Sequence, residues 1–229
     1  MDSRTENPIL RVRARGPLAC FTRPELKVER VSYPVMTPSA ARGLLEAILW
    51  KPAIRWQVLR IKVLKEIKFT AFRRNEVNSK VAKIPATLLQ KGGVPPVLVA
   101  DEDCAQRNTV ALADVDYVIE AKFEFTKNAG ADDNAKKFTE MFERRVEKGQ
   151  HFHQPYFGCR EFAAEVLPAN GEPSPISDDR QLGLMLWDIS YGKENVAIFF
   201  DAALTCGTLE IPPDRDSALA TLPAQGGAA

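Results

Sequence analysis

Two short clusters in the second half of the chain carry side chains able to hold phosphate and move protons. Lys136-Lys137 stands at the head of a predicted helix. Two cations in a first helical turn oppose the helix dipole, and a bound phosphate would remove that conflict. The same pair also reads as a solvated helix end, with Lys136 balanced by Glu140 one turn on. His151 and His153 are the chain's only histidines. Imidazole titrates near neutral pH, and alternate spacing on an extended segment puts both rings on one side. Tyr33 and Tyr156 are weaker candidates for proton transfer, since such tyrosines are more often half-buried with a satisfied hydroxyl. The four cysteines lie far apart without a CxxC pair, which reads as reduced thiols and argues against structural zinc.

The charge distribution points toward an anionic partner, with a solubilised basic face that has no partner as the alternative. Residues 1–100 carry 19 Lys+Arg against 7 Asp+Glu, while 101–229 carry 12 against 23, and the totals nearly cancel at +1. The basic residues are interleaved with apolar patterns, so they sit on a folded surface and suit a nucleic acid. Candidate contacts are Arg23, Lys27 and Arg30 in a first loop, Lys51 after a first helix, and Arg73, Arg74, Lys80 and Lys83 in a basic insertion. Arg160 reads equally as a phosphate contact and as an ion-pair partner. Trp50 and Trp56 flank Lys51 and suit either base stacking or the core. No apolar run is long enough to span a bilayer, and the first residues lack a signal-peptide core, so a cytoplasmic protein with no membrane partner is expected.

These residues need elements to hold them. Residues 9–21 read as a strand with Arg11, Arg13 and Arg15 on one face, interrupted at Gly16-Pro17. Thr37-Pro38 starts a helix with Ala41, Leu44, Leu45 and Ile48 as its buried stripe, and Pro52 stops it. Gly43 inside that helix suggests close packing on the sheet. Residues 61–69 alternate as a long strand, 73–96 read as a protruding loop or hairpin, and 117–125 is the cleanest strand. A second helix follows Asp132-Asp133-Asn134 and stops at Gly149. A strand over 157–167, a hairpin over 182–203 and a strand at 206–211 complete the pattern. The expected fold class is α+β: a ferredoxin-like βαββαβ unit over 1–167 with an insertion at 73–96, an antiparallel β extension over 168–211, and a flexible tail over 212–229.

Phe21-Thr22-Arg23-Pro24, Ser32-Tyr33-Pro34-Val35, residues 37–43 (TPSAARG) and Trp50-Lys51-Pro52-Ala53-Ile54 carry a further signal. Arg74-Asn75-Glu76-Val77, Gln106-Arg107-Asn108-Thr109 and Phe157-Gly158-Cys159-Arg160-Glu161 continue it. Together, over roughly 9–210, they resemble the CRISPR-associated Cas-five family of subtype I-C, the Dvulg-type branch of the RAMP superfamily. The resemblance implies an RRM-type fold and an endoribonuclease needing no metal or other cofactor. It implies cleavage of precursor CRISPR RNA at the base of the repeat hairpin, retention on the crRNA 5′ handle, and membership of the type I-C interference complex. Duplex DNA is a further partner that the same basic face would suit. The family pattern places Tyr before Trp-Lys-Pro and Lys-His early in the second helix; Leu49 and Lys136-Lys137 occupy those places here. That leaves Lys136, Lys137, His151 and His153 as the catalytic candidates, and it opens a second reading, an RNA-binding subunit without cleavage.

Overall fold

The computed structural model describes residues 7–26, 28–80, 83–94, 97–190 and 194–223. Strand β1 (Leu10–Ala19) buries Leu10, Val12 and Ala14 and turns its arginines the other way. It does not break at Gly16-Pro17. Gly16 stays in the ladder opposite Val115, where a Cβ would meet the Phe157 ring at 2.9 Å, while Pro17 falls where the β1 pairing skips a residue. The short β2 (Arg30–Val31) precedes α1 (Pro38–Ile48). The Thr37 hydroxyl accepts the Ala40 N–H at 3.3 Å to cap α1, and its apolar stripe is buried. Gly43 is not packed on the sheet as expected. It lies on the exposed side of α1, with nothing within 4 Å of a Cβ built on it.

The expected long strand is two strands. β3 (Ile54–Val63) and β4 (Lys68–Val77) run one after the other along β5 (Cys104–Phe125), which is 22 residues long. Asp114, at φ 52°, lies between the β4-paired and β3-paired halves of β5. Arg73 and Arg74 therefore stand within β4, and the connection to β5 holds a short helix, α2 (Ala86–Gln90), with no buried residue. Helix α3 (Ala135–Glu147) is capped by Asn134, whose side chain accepts the Lys137 N–H at 2.9 Å, and Gly149 follows it at φ 61°. The strand expected over 157–167 is only β6 (Glu165–Pro168). Before it, Gly158 approaches the Cys20 carbonyl so closely that a Cβ would sit 2.1 Å from its oxygen.

The main sheet runs β6–β1–β5–β3, and then β9 (Thr208–Glu210), β8 (Val196–Thr205) and β7 (Arg180–Ser190). One hydrophobic cluster takes residues from α1, α3, the central strands and β7 to β9, so the C-terminal strands share the core. Trp56 lies inside it, against Phe123 and Phe142. Part of the expected tail is ordered: α4 (Arg215–Ala220), capped by Asp214, buries Ala218 and packs on β8. No helix among the described residues is long and apolar enough to cross a membrane.

Candidate nucleic-acid interface

The arginine face of β1 is neutralised from the other half of the chain. Arg13 makes a two-point contact with buried Asp116, at 2.9 and 2.6 Å. Arg15 does the same with Glu165, and Arg11 pairs with Glu172 and Glu120. Glu120 also holds Arg60 at 3.0 Å and Lys62 at 2.5 Å. Burial alone would raise the Glu120 carboxyl, but the Lys62 and Arg60 contacts outweigh it and hold the group below the usual carboxylate range. The segment after β6 joins the sheet edge, with Ile176 N–H donating to Val63 O at 2.9 Å. A basic face free for phosphate, the expectation from the charge split, is not what this surface offers.

Several candidate contacts are likewise engaged. Arg30 faces Cys159 Sγ at 3.2 Å, Glu161 at 3.1 Å and Glu76 at 3.0 Å, and Arg74 joins the same two glutamates. The hydrogen bond to Cys20 and the neighbouring Arg30 guanidinium push the Cys159 thiol down from its ordinary value. Cys20 and Cys159 are buried, whereas Cys104 and Cys206 are exposed. Arg23 lies over the Tyr33 ring at 4.7 Å. Tyr33 is itself buried, and burial pushes its hydroxyl up. Lys27 falls outside the described residues. Lys51, Arg73, Lys80, Lys83 and Arg160 are exposed, and among the described residues none of them has an ion pair.

The catalytic candidates fall into two places. Lys136 is exposed and sits 3.8 Å from Glu140, and Lys137 donates to Asp133 at 2.8 Å. The Lys137 hydrogen bond holds the Asp133 carboxyl below its ordinary value, which favours the carboxylate. A helix rises about 1.5 Å per residue, which puts the end of α3 roughly 15 Å from Lys137. His151 and His153 follow that far end, exposed to solvent. The lysines and the histidines therefore do not converge on one reacting atom.

The histidine end is built on the end of α1. Phe152 N–H donates to Ala47 O at 2.7 Å, and Arg145 Nη1 donates to Ile48 O at 2.6 Å. These bonds place His153 in a groove of about 410 Å³ with Glu46, Trp50, Lys51, Arg145 and Phe152. Burial pushes the Glu46 carboxyl up. The His153 ring also meets the Tyr156 ring, 6.3 Å between centroids. Leu49 turns inward and is fully buried, and its carbonyl accepts the Trp56 indole N–H at 2.9 Å. Sequence reasoning did not single out Phe152; a lone Phe between histidines carries no pattern, and only the backbone bond to α1 shows where it stands.

A family model described as CRISPR-associated protein (Cas_Cas5) matches residues 9–199. A protein of Mannheimia succiniciproducens called CRISPR pre-crRNA endoribonuclease Cas5d is 46% identical over 213 residues, covering 89% of this chain and 95% of the relative. A protein of the same name from Thermus thermophilus is 41% identical over 225 residues, 90% of this chain and 92% of the relative. In fold, the chain is similar to the crystal structure of a CRISPR-associated protein, with a TM-score of 0.68 at 21% identity over 93% of this chain and 95% of that one. A functionally uncharacterized protein from Streptococcus mutans gives 0.65 at 21% identity over 90% and 93%. The chain belongs to the CRISPR-associated Cas5 family, as a member of the type I-C kind.

Proposed function

We propose that the chain is a metal-independent endoribonuclease that cuts precursor CRISPR RNA at the repeat hairpin and then stays on the 5′ handle as a subunit of the type I-C complex. The observation that carries this reading is the 41–46% identity, over nine-tenths of the chain, to two relatives named as pre-crRNA endoribonucleases. The strand order β6–β1–β5–β3, with α1 between β1 and β3 and α3 between β5 and β6, supports a ferredoxin-like βαββαβ unit bearing a C-terminal β extension.

In this reaction a base takes the proton of the ribose 2′-OH, the oxygen attacks the adjacent phosphorus, and the 5′ oxygen leaves with a proton from an acid. The products are a 2′,3′-cyclic phosphate and a 5′-OH. Leu49 has no proton to move and no solvent access. Lys137, ion-paired to Asp133, acts as a cation. The reading therefore gives Lys136 and Lys137 to phosphate contact at one end of α3, and gives proton transfer to His153, with His151 beside it, at the other. Lys51, Arg73, Lys80, Lys83 and Arg160 supply further phosphate contacts, and their exposure suits duplex DNA as well.

The test is incubation of the purified protein with labelled cognate repeat RNA in EDTA. One cut ending in a 2′,3′-cyclic phosphate is expected. His153→Ala should slow it by about 10²–10⁴-fold, the usual worth of general acid–base help. Wild-type cleavage by His153→Ala removes the histidine assignment. The buried Leu49 and the ion-paired Lys137 favour a second reading, a non-catalytic subunit that caps the 5′ handle, and RNA binding without any cut by the wild-type protein would establish it.

A further inference from the structure

Two large aromatic side chains stand in water beside the end of α1. Trp50 is 60% exposed and Phe152 is 82% exposed. Their exposure does not come from loose attachment. Trp50 directly follows Leu49, which is buried and bonded back to Leu45 at 2.9 Å, and the Phe152 backbone is bonded to Ala47. Both rings are thus displayed from backbone fixed to the last turn of α1, and they line one groove. The other tryptophan of this region, Trp56, is buried among Phe123 and Phe142, whereas Trp50 stands outside the core.

The surroundings choose the occupant. Lys51 and Arg145 line the groove beside His153, so an anionic chain passing its rim meets two cations. Glu46 also lines it and turns phosphate away from that wall, while a carboxylate accepts N–H groups from the edge of a base. A π face between two rings, hydrogen-bond donors toward Glu46 and phosphate toward Lys51 describe a single unpaired nucleotide.

We propose that Trp50 and Phe152 form a stacking platform for one unpaired base of the repeat RNA, with Glu46 at the base edge and Lys51 and His153 on the flanking phosphates. The proposal rests on the RNA-binding reading above and adds the nucleotide-level contact. A base held there lies beside His153, so the platform fixes which phosphate is presented to the proton-transferring group. Stacking of this kind tolerates any base but demands an unpaired one.

The test uses the full chain and cognate repeat RNAs, each carrying 2-aminopurine at a single unpaired position. One position is expected to lose fluorescence several-fold on binding. Trp50→Ala and Phe152→Ala should each weaken binding by roughly 5- to 100-fold, the usual range for one stacked base, and restore that fluorescence. Trp50→Phe should retain binding and Trp50→Leu should lose it, which separates stacking from simple apolar burial. The urea midpoint should not move, because both side chains are exposed. If the wild-type protein binds the RNA, no position is quenched and both alanine variants bind normally, the platform is wrong and the RNA-binding reading stands. If the wild-type protein binds no RNA, both fail. If the variants keep RNA affinity but lose association with other subunits of the complex, the surface is a protein contact and the proposal is overturned.

Discussion

The outer face of β1, β3 and β5 and the rim at the ends of α1 and α3 are both rich in cations, yet they are built in opposite ways. On the sheet, every outward arginine of β1 meets a carboxylate more than 100 residues away, as Arg13 meets Asp116 and Arg15 meets Glu165. At the helix rim, Lys51 has no ion pair among the described residues and stands beside exposed aromatic rings. A charge that is paired and partly buried has already exchanged its water for a carboxylate, and a phosphate would have to displace that partner. A solvated charge has only counterions to release. The excess of basic residues in the first hundred positions is therefore in large part structural glue, and the proposed nucleic-acid footprint rests on what remains after that pairing.

Asp116→Asn breaks the comparison most strongly. It removes the negative partner of Arg13 while keeping the volume. Loss of one partner of a buried pair costs about 3–5 kcal/mol, and some exposure of the Arg13 side chain brings the expectation to about 2–3 kcal/mol in urea unfolding. RNA affinity, measured well below the unfolding temperature, should not change. Lys51→Ala should behave in reverse: stability within about 0.5 kcal/mol, and a salt dependence of RNA binding shallower by about 0.7 in log–log slope. Equal loss of RNA affinity in both variants would show that the sheet face belongs to the interface after all.

That division was only partly legible in the sequence. The ends of α1 were, because Thr37-Pro38 and Pro52 act on their immediate neighbours. So was the head of α3, where Asn134 caps locally. The pairing of Arg13 with Asp116 was not, since nothing within a window of the chain ties residues 103 positions apart. The first half of β5 was missed because it pairs with β4 in a ribbon whose residues are mostly half-exposed or exposed, so no clean apolar alternation marks it. Trp50 and Trp56 looked alike; burial separates them, and burial belongs to the assembled core. Lys136-Lys137 were read at the head of the second helix and His151/His153 past its end, and the structure keeps them there, with the rest of α3 between them.

Acid pH separates the two regions more gently. Glu120 is held below the ordinary carboxylate range in the folded protein, so its contribution to stability is complete above that range. It is lost as pH falls through the lowered folded value. Stability should therefore decline in acid, and Glu120→Gln, which costs about 1–2 kcal/mol at neutral pH, should flatten that decline. Urea midpoints from pH 3 to 7 for the two proteins give the comparison directly. Parallel curves would mean that the sheet-face cluster does not carry the acid sensitivity.

Gly43→Ala sharpens where the rim begins. Gly43 lies on the exposed side of α1 with open space in front of it, in a groove of about 290 Å³ shared with Thr22, Ser39, Ala47 and Tyr156. A helical glycine costs about 1 kcal/mol relative to alanine, and nothing in the fold requires it there, so the variant should gain about 0.5–1 kcal/mol. Trp50 lies past the end of α1, whose last residue, Ile48, is about 7.5 Å along the axis from Gly43. RNA affinity should accordingly stay at the wild-type value in filter binding. A loss of affinity together with the gain in stability would mean that the RNA lies against α1 itself. The glycine would then serve close backbone approach, and the footprint would extend from the aromatic rim toward Tyr156 and Ser39.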